Sequence, residues 1–213
     1  MFIAFEGVDG SGKSTQVRLL KERANTIFPG REVVTTREPG GSPYGEEIRK
    51  LILGTDDVSR ALAANASGLT MLGLFMAARV DHLNRLIIPN LNAGKIVITD
   101  RFMVSSFAYQ VRAAAEPAPE HLFFEYVDSF RRIPDLTIIF DVDIDESLRR
   151  IGERSGKSTH FETRQTLERV RDAYLYWSQL KRYPSVVIRA DRTPEEVHAE
   201  VLLNIRELKL SSE

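Results

Sequence analysis

Residues 7–14, Gly7-Val8-Asp9-Gly10-Ser11-Gly12-Lys13-Ser14, fit the pattern G-x-x-x-x-G-K-[ST], and no other stretch of the chain restricts its fold so strongly. The pattern has a mechanical meaning only between a strand and a helix. Glycines let successive backbone N–H groups turn inward around phosphate oxygens, and the helix that follows adds the positive end of its dipole. Both neighbours are present: residues 2–6 form a short apolar run, and residues 13–24 carry a helical period. Gly7, Val8, Asp9, Gly10, Ser11, Gly12, Lys13, Ser14 and Thr15 are therefore the candidate nucleotide contacts. Lys13 would reach the β/γ-phosphates and the Ser14 hydroxyl would ligate Mg²⁺. Ser155-Gly156-Lys157-Ser158-Thr159 repeats the letters of residues 11–15. There, however, Ile151 stands where the first glycine is needed and a helix leads in, so that stretch reads as a basic loop.

Further strand-like runs lie at residues 32–36, 95–99, 136–141 and 185–189. They are mostly continuous apolar runs, as expected of parallel strands covered on both faces. Helical patterns occupy residues 43–53, about 67–92, 120–131, 145–153, 166–181 and 194–208, with Asp145 and Thr193-Pro194 offering cap chemistry. Residues 55–59, 113–119 and 154–162 read as loops. The alternation predicts an α/β protein, a three-layer α/β/α fold on a five-stranded parallel sheet, with one domain over residues 1–213. Ligands in such sheets sit at the carboxyl ends of the strands. Asp100 ends one of those strands and is a second candidate for holding Mg²⁺, directly or through water.

Composition removes several classes. With 29 Lys+Arg against 30 Asp+Glu the net charge is −1, which argues against a polymeric nucleic-acid partner. The chain has no cysteine, so disulfide frames, thiolate metal sites and cysteine catalysis are excluded. The first residues lack a basic n-region. Residues 61–78 carry no charge, yet Asn65, Ser67, Gly68, Thr70 and Gly73 dilute them below membrane-span hydropathy. A buried helix is the expectation there, and a cytoplasmic protein with no membrane partner.

More specific segments follow the loop in order: Thr36-Arg37-Glu38-Pro39-Gly40-Gly41, Gly45-Glu46-Glu47-Ile48-Arg49, Phe75-Met76-Ala77-Ala78-Arg79, Asp100-Arg101 and Ser105-Ser106-Phe107-Ala108-Tyr109-Gln110. In these, over nearly its whole length, the chain resembles the thymidylate kinase family. The resemblance implies a P-loop nucleoside-monophosphate kinase that moves the γ-phosphoryl of ATP to dTMP with Mg²⁺, acts as a homodimer, and closes a short lid at about residues 149–162. Phe75 and Arg79, four apart on one helix face, suit stacking on a pyrimidine and bonding a base carbonyl. The resemblance gives Arg37, Arg49 and Arg101 the acceptor phosphate and Asp9 the sugar 3′-hydroxyl. Ser106 and Gln110 then flank the thymine, and Tyr109 crowds the 2′ side; Glu38 and Ser105 join the substrate set from within the same motifs.

Gly10 and Ser11 put no arginine inside the loop. The transition-state cation is therefore expected from the lid, with Arg154 and Arg149 as catalytic candidates beside Lys13 and Arg101. Two departures from the family stand out. Val111-Arg112-Ala113-Ala114-Ala115 replaces a glycine- and arginine-rich stretch, and Thr159-His160 replaces an Asp-Arg pair. A kinase of broader deoxynucleotide specificity and a non-catalytic nucleotide-binding regulator remain as alternatives.

Overall fold

Every residue of β1 (Phe2–Glu6) is buried, as a central strand with helices on both sides requires. In the computed structural model, which describes residues 1–155 and 163–210 without the side chains of residues 154–155, four further strands lie parallel with it. They are β2 (Val33–Arg37), β3 (Ile96–Asp100), β4 (Leu136–Asp141) and β5 (Ser185–Arg189), in the order β2-β3-β1-β4-β5. The register sets Phe5 and Arg37 on either side of Asp100, and Glu6 beside Ile139. Glu6, Arg37 and Asp100, three charged residues, thus reach one edge of the sheet, its carboxyl edge.

Helices flank the sheet. α1 (Lys13–Glu22) leaves the glycine loop, and after the short α2 (Ala24–Ile27) the chain enters β2. α3 (Pro43–Leu53) starts where Ser42 Oγ accepts the Gly45 N–H and stops at Gly54, whose φ of 62° suits glycine. The sequence reads residues 55–59 as loop and residues 61–78 as part of one uncharged helix; the structure divides them otherwise. Asp56 and Ser59 form a reciprocal capping box that starts α4 (Asp57–Ala64), and Ser67 caps a separate α5 (Gly68–His82). Among the described residues no helix is long and apolar enough to cross a membrane.

α5 runs on through a π-helical turn (Leu83–Ile87) into α6 (Ile88–Asn92). Pro89 has no N–H for the carbonyl four residues back, and the ladder widens just before it. After β3 comes a helical stretch that the sequence does not announce: α7 (Met103–Ser106) and a second π-helical segment (Phe107–Arg112). α8 (Glu120–Asp128), α9 (Ile144–Ser155), α10 (Arg164–Leu180) and α11 (Pro194–Leu210) complete the fold. Asp145 is not the cap of α9. Asp143 is, its Oδ1 accepting the Asp145 N–H at 2.8 Å and its carbonyl the Ser147 N–H at 2.9 Å.

The second π segment is anchored by Phe107, which is fully buried among Phe123, Phe124, Tyr176 and Trp177 at centroid distances of 5.1–6.3 Å. Tyr109 and Gln110 are carried by that same segment. Phe107→Ala is expected to lower unfolding free energy by ~3–5 kcal/mol in a urea titration, the usual range for emptying a buried aromatic site. A loss below ~1 kcal/mol would mean that the segment is not held by this cluster.

Candidate active site

The glycine loop closes tightly enough that side chains are excluded from it. A Cβ on Gly7 would stand 2.6 Å from Phe140 O, and one on Gly10 would stand 2.6 Å from Ser147 O. Gly7 and Val8 turn their carbonyls inward, where Lys13 Nζ donates to both at 3.0 and 2.8 Å. The sequence suggests a lysine on an exposed loop; the structure buries it at 6% exposure, inside the turn. Burial, followed by the nearby Arg101 charge, pushes the Lys13 ammonium down to about 8. Two contacts fasten the loop to α9: Ser147 Oγ donates to Asp9 O at 2.6 Å, and Arg150 Nη1 to Gly10 O at 3.3 Å. Ser14 Oγ donates to Asp100 Oδ2 at 2.7 Å, bringing two hard oxygen donors together at the end of β3.

Residues 9–16 line a cleft of about 1100 Å³ with Arg37, Arg49, Arg101, Arg149 and Arg150, and with residues 190–194, Glu196 and Val197. A second cavity of about 310 Å³ opens beside it. Its walls are Pro39, Ile52, Leu53 and Phe75 with Arg79, Phe102, Ser105, Tyr109 and Gln110. Asp9, Glu38, Arg49 and Arg101 line both. The candidates named from sequence for the two halves of a transfer reaction therefore meet at these four side chains.

In the smaller cavity the polar groups are fixed before anything enters. Arg79 is buried; its Nε donates to Glu38 Oε2 at 2.7 Å, and its Nη2 to Phe102 O and Ser106 Oγ at 3.0 and 2.9 Å. Its Nη1 meets only the Met76 sulfur, at 3.8 Å, among the described residues. Ser106 does not line the cavity: it is wholly buried and supports Arg79 instead. Gln110 does line it, and Gln110 Oε1 is buried without a hydrogen-bond partner among the described residues. The Tyr109 hydroxyl lies 3.5 Å from Asp9 Oδ2, and the Arg101 guanidinium packs 5.3 Å from its ring centroid. Arg49 Nη1 donates to Pro39 O at 2.8 Å, and the exposed Arg37 pairs with Glu46 at 3.3 Å.

Arg101 joins the two halves. Its backbone is left-handed at φ 71°, a conformation an arginine keeps only when its surroundings impose it. Nη1 donates to Gly7 O, Ser105 Oγ and Tyr174 OH, each at 3.0 Å, and Nη2 to Asp9 Oδ1 at 3.0 Å. Beneath it Glu6 is fully buried. Its Oε1 accepts the N–H groups of Phe102, Val104 and Ser105, and its Oε2 the hydroxyls of Ser105 and Tyr174. Burial raises the Glu6 pKa; the Ser105 hydrogen bond and the Arg101 charge oppose the rise. Sequence reasoning gives no role to Glu6 or Tyr174, and counts Arg150 only among the basic residues of the lid segment. The available signal was Glu6, a carboxylate ending an otherwise apolar strand against a phosphate loop.

Of the lid candidates, Arg149 lies on α9 with its guanidinium engaged by Glu146 and Glu153 at 2.6 and 2.5 Å. The Arg154 side chain and residues 156–162, His160 included, lie outside the described residues.

A family model described as thymidylate kinase matches residues 5–201. The chain is 36% identical to the thymidylate kinase of Halothermothrix orenii over 216 residues, covering 97% of this chain and 96% of that one. It is 39% identical to that of Ruegeria pomeroyi, with 94% and 92% covered, and 46% identical to that of Chlamydia caviae over 70% of each. Among solved structures it resembles the thymidylate kinase of Ehrlichia chaffeensis, with a TM-score of 0.74, 33% identity, and 97% and 98% of the two chains covered.

The lowered Lys13 value has a measurable consequence. Between about 8 and the ordinary 10.5 the amine is largely neutral in the folded protein. A polyphosphate beside Nζ favours the charged form and restores its pKa. Nucleoside triphosphate binding at pH 9 should therefore draw up protons, read by calorimetry in buffers of different ionisation enthalpy, and Lys13→Met should abolish that uptake along with turnover. Uptake that survives the substitution would assign the titration to another group.

Proposed function

Because the chain belongs to the thymidylate kinase family, ATP-dependent kinases that phosphorylate dTMP, we propose that its larger cleft takes ATP, its smaller cavity takes dTMP, and the γ-phosphoryl group crosses between them at Asp9, Arg49 and Arg101 to give dTDP and ADP. The observation that carries this reading is the sharing of those side chains by both cavities. An acceptor phosphate oxygen is already a nucleophile, so no strong base is needed. The protein has to hold two anions in line and neutralise the moving charge.

Each residue's part follows from its position. The N–H groups of residues 9–15 cradle the donor phosphates and Lys13 exchanges its carbonyl partners for phosphate oxygens. Arg49 and Arg101, with Arg37 at the rim, receive the acceptor phosphate. Asp9 takes the 3′-hydroxyl, and Tyr109 packs beside the sugar on its 2′ side. Ser14 and Asp100 would hold Mg²⁺; a hydroxyl and a carboxylate 2.7 Å apart are the hard oxygen donors that ion takes, and it would supply charge neutralisation at the phosphates. Arg154 is the proposed lid cation, with Arg150, already on the Gly10 carbonyl, as a further candidate.

Base choice rests on two buried groups. Arg79 Nη1 is a donor and Gln110 Oε1 an acceptor, both without a strong partner, and both line or face the smaller cavity. Thymine presents a carbonyl beside an imide N–H and satisfies both. Cytosine presents an amino group and a ring acceptor and leaves both opposed, which buried polar groups penalise heavily. Phe75 supplies the stacking face. The exposed apolar side chains Val58, Leu62, Leu69 and Val80 on α4 and α5 support a homodimer as the working assembly, and we place the protein in the cytoplasm.

An acceptor panel tests the assignment: ADP release is measured with dTMP, dUMP, dCMP and dGMP. Marked preference for dTMP is expected. Comparable turnover of several acceptors would favour a broader kinase, and binding without turnover a regulator. Arg79→Ala should raise the dTMP KM by roughly 10- to 100-fold, the worth of one charged hydrogen bond, with the ATP KM unchanged; equal rises for both substrates would make Arg79 a structural residue. Arg154→Ala should lower kcat by roughly 100-fold or more with dTMP binding kept, as a contact made mainly in the transition state requires. A loss below about threefold would transfer that role to Arg150 or Arg149.

A further inference from the structure

Behind the base cavity lies a set of buried polar groups that the phosphoryl transfer does not use. His82 closes α5, three residues beyond Arg79 and on the same helix face. Its ring is wholly enclosed, with Nδ1 3.0 Å from Glu38 Oε1 and Nε2 2.8 Å from Thr36 Oγ1. Glu38 turns its other oxygen to Arg79 Nε. A carboxylate only accepts, so Nδ1 carries a ring proton towards Glu38, while Nε2 shares its hydrogen bond with the Thr36 hydroxyl. The backbone seals this run of bonds at Gly41, where a Cβ would stand 2.5 Å from both His82 Nε2 and Thr36 Oγ1.

We propose that His82 is a positioning residue for base recognition, holding Glu38, and through it the Arg79 fork, in the one orientation that presents Nη1 to the base. The inference rests on the reading of Arg79 as the base contact. The geometry explains why one bond matters so much. Glu38 grips Arg79 at Nε alone, and a carboxylate held at one oxygen is free to rotate about its own side chain. His82 occupies the second oxygen and removes that freedom, and the bond between Nε2 and Thr36 Oγ1 holds the ring in that orientation. The Arg79 donor then keeps a single direction, which is what separates a carbonyl from an amino group at the same place on a pyrimidine. The reacting phosphates are held by Lys13, Arg49 and Arg101, so loss of this order falls on acceptor affinity and choice rather than on the transfer step.

The test is steady-state kinetics with dTMP and dCMP at saturating ATP. His82→Phe keeps a planar ring without donors. It is expected to raise the dTMP KM about tenfold and to narrow the dTMP-over-dCMP preference in kcat/KM by a similar factor, with kcat for dTMP and the ATP KM within about twofold of wild type. His82→Asn places an amide N–H near the position of Nδ1 and should recover most of the preference. Thr36→Val leaves the ring but removes its second anchor at Nε2, and should narrow the preference in the same direction. It covers the case in which His82→Phe does not fold.

Wild-type preference in both His82→Phe and Thr36→Val overturns the proposal, as does an equal KM rise for both acceptors or a His82→Asn variant no better than His82→Phe. Arg79→Ala separates the two levels of failure. If its preference is intact, the base reading itself is wrong. If its preference is lost while the His82 and Thr36 variants keep theirs, only the role of His82 falls.

Discussion

A carboxylate enclosed by protein persists only where donors surround it, and Glu6 ends the central strand in that situation. Three of its donors are the consecutive-turn N–H groups of Phe102, Val104 and Ser105, and the others are hydroxyls of Ser105 and Tyr174. That ring of contacts dictates how the chain leaves β3. It must wind at once into α7 over the end of β1, and Arg101, the residue before the ring, takes up the turn with its left-handed backbone. The guanidinium is thereby delivered under the glycine loop, against Gly7 O and Asp9. Tyr174 brings α10 into the same cluster. Loop, Arg101 and α10 are thus coupled through one buried carboxylate.

The cations of the cleft are all held by the protein itself. Lys13 rests on carbonyls, Arg49 on Pro39 O, Arg101 on Gly7 O and Asp9, and Arg150 on Gly10 O and Ala190 O. Lys13 and Arg49 are held by neutral oxygen acceptors, which are weaker partners than charged ones, whereas Arg101 is also paired with Asp9 and Arg150 with Glu146. Each of these cations is thereby held in a fixed place around the cleft.

Patterns made of local chemistry were legible in the sequence. β1, β4, β5 and α3 fall at the expected residues, because apolar runs and Ser42-Pro43 with Gly54 mark their own limits. The phosphate loop and the Ser14–Asp100 pairing were legible for the same reason, since glycine spacing and a strand-ending carboxylate carry their meaning in a few residues. Residues 103–112 were not, because their helicity depends on Glu6, a hundred residues away in sequence, and on Phe107 packing against α8 and α10. Asp56 and Ser59 did carry a local cap signal, but it was obscured by the uncharged run after it, which read as one helix. Ser106, assigned to the base wall from its motif, stands behind Arg79 rather than beside the cavity; which of two adjacent serines faces inward is set by the turn of α7 and cannot be read from the letters.

The two cavities are built differently, and the proposed function gives them different problems to solve. Transfer between phosphates asks for charge and placement, and backbone N–H groups with long cationic side chains supply both while tolerating small movements. Selection of a base asks for a donor and an acceptor that are buried and unpaired until the right partner arrives, which is a costly state for a protein to maintain. Such groups are kept only where everything around them is satisfied. Of the Arg79 nitrogens, Nε and Nη2 are fully engaged; both Glu38 oxygens are taken; both His82 nitrogens are taken; and Gly41 closes the backbone over them. The deficit is thereby confined to Nη1 on one wall and Gln110 Oε1 on another. On the proposed assignment a pyrimidine with adjacent carbonyl and imide N–H groups is the complement of that pair, and the completeness of the bonding behind Arg79 would give the remaining gap its selectivity.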